Sequence, residues 1–170
     1  GQSAGKRLGP GFLDDYAYYI FALLELHQAT LEEEYLSRAL RYAERAAELF
    51  FDETGGGFYF SGANNERLVV KIKESRDAAL PSGNSVMAYN LSRLALLTGK
   101  PHIERLLEKQ RVYMSAEAAA YPTGYGFYLY SLLPVRLIHC TVADRGDLDK
   151  IRVRSDWAFH LADAKEYPLV

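Results

Sequence analysis

Apolar and polar positions follow two different rules in alternation along the first 133 residues. Between Leu13 and Gln28 the interior Tyr16-Ala-Tyr-Tyr-Ile-Phe-Ala-Leu-Leu24 is apolar on every side, which predicts a helix that other protein must enclose. Asp14 and Asp15 stand in its first turn, where carboxylates suit the helix dipole. The next helix opens at Thr30-Leu-Glu-Glu33, a capping-box pattern. It places Leu36, Leu40, Ala43, Ala47 and Phe50 on one stripe and keeps most of its Glu and Arg residues off it, as a half-exposed surface helix does. A third helix, about Ser82–Thr98, is again broadly apolar and stops at Gly99, a good C-terminal residue. A fourth starts with Pro101 in its first turn and runs to about Ala119, with Ile103, Leu106, Leu107, Gln110 and Met114 set against Glu104, Arg105, Glu108, Lys109 and Arg111. Tyr121-Pro-Thr-Gly124 breaks the chain, and Tyr125–Leu133 begins a fifth, apolar segment.

Helices that are enclosed, amphipathic, enclosed, amphipathic and enclosed, joined as antiparallel hairpins, predict an inner and an outer layer. The expectation is a mainly α fold, a partial (α/α) toroid over residues 1–133. A four-helix bundle ranks second, because its helices would share one degree of amphipathicity. The inner helices begin alike, with Phe-Leu-Asp-Asp, Pro-Ser-Gly-Asn and Pro-Thr-Gly-Tyr, so small and polar groups should gather at one mouth. The connection from Phe51 to Pro81 exceeds the ~12–15 residues of an ordinary structureless loop. It is therefore expected to carry a small hairpin, Phe58–Phe60 with Leu68–Ile72, and to lie over that mouth. Beyond Pro134, Val135–Val142 and Lys150–Trp157 read as strands and Ala158–Val170 is ambiguous, so 134–170 is expected to form a small β-containing extension.

Composition narrows the partners. A net charge of -2 with no Lys/Arg stripe argues against nucleic acid. The longest apolar run, Tyr16–Leu24, is too short for a bilayer, and Gly1–Pro10 lacks the apolar core of a signal peptide. Cys140 is the single cysteine, and no two of the four histidines stand at helical ligand spacing, so no metal and no cofactor are expected. The expected setting is reducing and cytoplasmic.

Three stretches, Leu13-Asp-Asp-Tyr-Ala17, Phe51-Asp-Glu-Thr-Gly-Gly-Gly-Phe-Tyr59 and Asp77-Ala-Ala-Leu-Pro-Ser-Gly-Asn-Ser-Val86, together resemble the YyaL-type, spermatogenesis-associated-protein-20-like family. The resemblance covers about Leu13–Leu133 in order. It implies a toroid of the six-hairpin glycosidase-like type, similar to those of N-acylglucosamine 2-epimerases and several glycosidases, behind an amino-terminal thioredoxin-like domain. The paired cysteines of that domain and several helices of the ring are absent here, which is expected of a carboxy-terminal fragment.

Candidate chemistry concentrates in Lys73–Tyr89, which sets acids, a guanidinium and small polar residues ahead of an apolar helix. Glycoside chemistry needs two carboxyls, about 5–5.5 Å apart for retention or about 6.5–9.5 Å for inversion. Asp77, Asp15 and Glu74 are the candidate catalytic residues. Asp14, Tyr16, Tyr59, Arg76, Ser82, Asn84 and Tyr125 are the candidates for binding a sugar or another small polar ligand, with Tyr18 a further stacking face. If the chain is an enzyme, the class is glycoside hydrolase-like or sugar isomerase/epimerase-like. The second is less favoured because His27 falls at the far end of its helix from the mouth. Each of these residues also has a structural use: Asp14 and Asp15 as caps, Ser82–Ser85 as cap and turn, Arg76–Asp77 as an ion pair, and the tyrosines as core. Asp77 is the one least explained by capping or periodicity. The alternative function is a non-catalytic interaction scaffold. Apolar flanks left bare by an incomplete ring would make this chain self-associate.

Overall fold

The computed structural model describes residues 11–61, 72–140 and 157–161. Within them lie α1 (Leu13–Thr30), α2 (Glu33–Phe50), α3 (Gly83–Thr98), α4 (Pro101–Ala120), α5 (Gly126–Ser131) and two strands, β1 (Arg136–Cys140) and β2 (Trp157–Leu161). The fold is mainly α with a small strand element. Pairs α1–α2 and α3–α4 are hairpins, and α3 also packs on α1 and α5. The arrangement is an inner row, α1–α3–α5, backed by α2 and α4.

The burial pattern follows from this layering. Leu36, Ala39, Ala43, Ala46 and Phe50 form the single buried stripe of α2. In α4 it is Ile103, Leu107, Gln110, Met114 and Ala118. In α3 every residue from Gly83 to Leu91 is buried, because neighbours stand on several sides of it. The other two inner helices are enclosed less fully than their composition predicts. Tyr19 and Leu26 of α1 are exposed, as are Leu129 and Tyr130 of α5 and Leu132 and Leu133 just after it. The main core joins Leu13, Ile20, Leu24, Phe50, Phe58, Met87, Leu91, Leu94 and Ile103.

The helix ends are built from specific groups. Gly99 closes α3 in the left-handed conformation at φ 59°, returning its N–H to Ala95. Leu31 does the same for α1 at φ 53°, an uncommon conformation for a side chain branched at Cγ. The capping box expected at Thr30–Glu33 does not form. Thr30 is the last residue of α1; its Oγ1 donates to Leu26 O at 2.9 Å and accepts the Glu32 N–H at 3.2 Å. Its hydroxyl is thus spent closing one helix, and Glu32 starts the next without a side-chain cap.

In the long connection, Phe58 bridges antiparallel to Phe51 and Ser61 to Phe12. Phe60 N–H bonds to Ile72 O at 2.8 Å, and Leu13 N–H to Phe60 O at 3.0 Å. The short 58–61 segment is therefore held between the start of α1 and Ile72; residues 68–71 of the expected partner strand lie outside the described residues. The two strands pair in parallel, with Arg136 opposite Trp157 and Cys140 opposite Leu161. Of the strand expected at Lys150–Trp157, residues 150–156 lie outside the described residues and Trp157 opens β2; the rest of β2, from Ala158 to Leu161, falls in the stretch that composition leaves ambiguous. Ala158 and Phe159 are buried, and β2 packs on α3.

Candidate functional site

The starts of α1, α3 and α5 come together, joined by acidic side chains that accept backbone N–H groups. At α1, Asp15 Oδ2 accepts the Phe12 N–H at 2.9 Å. The Asp14 carboxyl accepts the Gly83 N–H and so ties α1 to α3. A Cβ on Gly83 would lie far inside contact with Asp14 Oδ1 and 3.0 Å from the Leu13 side chain, so only glycine admits this approach. Asp77 Oδ1 accepts the Ser82 N–H at 3.0 Å and its Oδ2 the Phe127 N–H at 2.8 Å, tying α3 to α5. Ser82 caps α3 by accepting the Ser85 N–H at 3.1 Å. These bonds satisfy donors that every helix start leaves free.

Asn84 fixes the connection that overlies these starts. It is fully buried. Its Oδ1 accepts the Phe58 N–H at 2.8 Å, and its Nδ2 donates to Phe58 O at 2.9 Å and Glu74 O at 2.8 Å. Gln110 of α4 adds a bond to Asn84 Oδ1 at 3.1 Å. Beside it, Lys73 reaches into the Asp52–Gly57 turn. Its Nζ donates to Asp52 Oδ2 at 2.7 Å and Gly56 O at 2.5 Å and lies 4.9 and 4.8 Å from the ring centroids of Tyr59 and Tyr113. Tyr59 Oη also donates to Asp52 Oδ2, at 2.9 Å. The turn lies flat on α4: a Cβ on Gly57, at φ 76°, would stand 2.5 Å from the Tyr113 ring. That contact and that backbone explain the glycine run.

Glu74, next to Lys73, faces the other way. Burial, first, and the negative charge of Glu74, second, raise the Asp14 carboxyl above the ordinary 3.8; the Gly83 N–H offsets part of this. One turn into α1, Tyr18 Oη donates to Pro81 O at 2.7 Å. Its own pKa is raised by burial and by the charges of Asp14 and Asp77. Below this acidic end the same face of α1 continues to Phe21 and Glu25. Phe21 meets the rings of Tyr89 and Phe127 at 5.4 and 6.1 Å. Tyr89 Oη donates to Glu25 Oε1 at 3.1 Å and accepts from Arg93 Nε at 3.2 Å. Burial is the main cause that pushes the Tyr89 phenol up to about 12, so it remains a donor at neutral pH. Phe127 and Tyr130 of α5 complete an aromatic wall.

Of the residues singled out from sequence, Asp14, Glu74, Asp77 and Ser82 come together at this end. Asp77 differs from expectation in its use, since both its oxygens are helix caps. Asp15 serves its own helix start. Asn84 is sealed inside, and Tyr125, also buried, bonds through its hydroxyl to Ser75 Oγ at 3.2 Å. Tyr59 belongs to the Asp52–Lys73 turn. Tyr16 packs against Tyr42 and Phe50 of α2. Arg76 stacks on Tyr121, 4.8 Å from its centroid, and the expected Arg76–Asp77 pair does not form among the described contacts. Sequence reading passed over Phe21, Glu25, Tyr89, Arg93, Phe127 and Tyr130. The signal was the 14–18–21–25 spacing, a continuous helical stripe, with Tyr89 and Arg93 one turn apart on α3. Among the described residues no cluster of His, Cys, Asp and Glu could hold a metal ion, and no helix is long and apolar enough to cross a membrane.

No family model matches the chain. Spermatogenesis-associated protein 20 of Rattus norvegicus is 44% identical over 90 residues, 52% of this chain and 11% of that protein. The Homo sapiens protein is 43% identical over 90 residues, 12% of its length. An uncharacterized protein of Caenorhabditis elegans is 35% identical over 83 residues, 49% of this chain and 11% of its own length. Over about half of its length the chain is similar to spermatogenesis-associated protein 20, the resemblance its three motifs carry. The matched stretch spans about a tenth of those relatives.

Proposed function

We propose that the inner face of α1, α3 and α5 binds a carbohydrate, with Asp14 and Glu74 as the acidic pair nearest its reacting bond. The observation that carries this reading is the half-buried Asp14 carboxyl, raised by burial and by Glu74, at the head of a stripe of aromatic side chains. Two carboxyls with unlike environments divide into a proton donor and an ionised partner, the division that glycoside cleavage requires. Asp14 takes the donor role, and Glu74, the more exposed of the two, faces it across the bond. The rings of Phe21, Phe127 and Tyr130 offer apolar faces to sugar rings, and the Tyr89 hydroxyl, engaged with Glu25 and Arg93, holds those two charged groups beside them. Asp77 holds two helices in place and contributes its charge.

Calorimetric titration with a panel of neutral mono- and disaccharides, followed by turnover assays on aryl glycosides, tests this. Binding that survives in Asp14→Asn while turnover falls at least ~100-fold, the lower end for an acid–base group, is the expected result. Unchanged turnover in that variant, or no sugar bound by the intact protein, sinks the reading.

A second reading, a non-catalytic interaction scaffold, is favoured by one observation: Leu129, Leu132 and Leu133, at and just after the end of α5, are all exposed. It expects the chain to self-associate at micromolar concentration. A monomer in sedimentation velocity, unchanged across concentration, counts against it.

A further inference from the structure

We infer that a second site, on the cleft between α3, α4 and the segment after α5, takes a small organic anion with an apolar body. The cleft has a volume of about 250 Å³ and is lined by Ser92, Arg93 and Leu96 of α3, Arg111 of α4, and Tyr130–Val135. That volume is just under the ~300–1,000 Å³ usual for small-molecule sites, so the occupant is small. The site is separate from the acidic end of the inner face and does not rest on the carbohydrate reading; the two share only the rings of Tyr89 and Tyr130.

Its chemistry is one-sided. Among the described residues two guanidiniums line the cleft and no carboxylate does. Arg93 is engaged with the Tyr89 hydroxyl, on whose other side stands Glu25, so Arg111 is the principal cation. Arg111 is placed for the purpose. Its Nη2 donates to Ser92 Oγ at 3.1 Å, which draws the guanidinium across from α4 to α3. Its carbonyl accepts the Tyr128 hydroxyl at 3.2 Å, which fixes that turn of α4 against α5. A guanidinium has five N–H donors in a planar fork and matches carboxylate or phosphate oxygens two at a time. The bond to Ser92 uses one of them. In the same cleft, Leu96, Leu132, Leu133, Pro134 and the half-open Tyr130 ring supply apolar surface, with the Tyr89 ring near-parallel to Tyr130 at 13° and 6.1 Å. Clefts with low-dielectric walls and charge of one sign concentrate counter-ions. A bare inorganic anion would leave the apolar wall unused, and a neutral hydrocarbon would leave Arg111 unmatched. Both features together select an aromatic or aliphatic phosphate or carboxylate.

The test uses phenyl phosphate as probe, with inorganic phosphate and phenol as its two halves, followed by backbone amide chemical shifts of the whole chain. Phenyl phosphate is expected to shift residues 92–96, 111 and 130–135, and to bind at least tenfold more tightly than either half. Arg111→Glu, at an exposed position, is expected to weaken it at least tenfold with the circular dichroism spectrum retained. Arg105→Glu, on a different face of α4 that lines no part of this cleft, should leave it unchanged. Equal affinity for phenol and phenyl phosphate, shifts that map elsewhere, or unchanged affinity in Arg111→Glu would each overturn the proposal.

Discussion

Lys73 and Glu74 are neighbours in the chain and belong to opposite electrostatic worlds. On the Lys73 side, Asp52 is met by an ammonium, a phenol and the N–H groups of Thr54 and Gly55, and its carboxyl is driven well below the ordinary 3.8, chiefly by Lys73. On the Glu74 side, Asp14 is met by burial and by other carboxylates, and its carboxyl rises. The first arrangement resists protonation, satisfies every partner it has, and holds a turn on α4. The second is compensated only in part, by the Gly83 N–H. A fold tolerates such a cost where ligand chemistry uses it, and the proposed carbohydrate site lies on the Asp14 side.

The largest expected effect comes from removing what separates the two sides. Asn84→Ala leaves Phe58 N–H and Phe58 O buried without their partner and frees the less buried Glu74 O, at a cost of about 4 kcal/mol, since each buried orphan costs ~1–3 kcal/mol. Urea denaturation checks this; a loss under about 1 kcal/mol would mean that the segment is held by something else. Asp77→Ala comes next. Freeing the Ser82 and Phe127 N–H groups should cost about 1–3 kcal/mol, with Asp77→Asn retaining part of it because an amide oxygen still accepts one bond. If both variants lose activity completely while stability is untouched, Asp77 is catalytic and not a clamp.

Smallest, and most diagnostic, are the pH effects. Asp52 binds its proton less tightly folded than unfolded. Its contribution is present above 3.8 and is lost as pH falls through that value and below, so Asp52→Asn should flatten the acid limb of the stability curve. Asp14 has the opposite sign. Its folded form binds the proton more tightly, so its contribution is present below 3.8 and is lost as pH rises through the raised value. Asp14→Asn should therefore leave the protein slightly more stable at neutral pH, a small gain because the group is partly open to solvent. Thermal melts from pH 3 to 7 measure both; melts of equal slope in the two variants would erase the contrast.

The fold was legible where a residue's role is set by its own helix. The amphipathic stripes of α2 and α4, Ser82 before α3, Gly99 after it and Pro101 at the next start all appear where periodicity and cap chemistry put them. Legibility failed where a side chain serves a distant element. Thr30 has the neighbours of a capping box yet closes the preceding helix. Asp77 looks unemployed in sequence because one of the two N–H groups it holds is 50 residues away. Asn84 has the composition of a sugar ligand and the burial of a core residue, and only the packing of Phe58 and Glu74 around it decides between them. The inner-face stripe was there to be read at Asp14, Tyr18, Phe21 and Glu25, but apolar neighbours on all sides of α1 masked it.

The missing side chain at position 83 acts as a spacer of zero thickness. It sets how near the first hairpin stands to the second, and the carboxylate bridge from residue 77 carries that setting on to the third inner helix. The three are mounted in series, so an error of an ångström at the first joint arrives at the last. Any larger residue there would widen the whole entrance, not one edge of it.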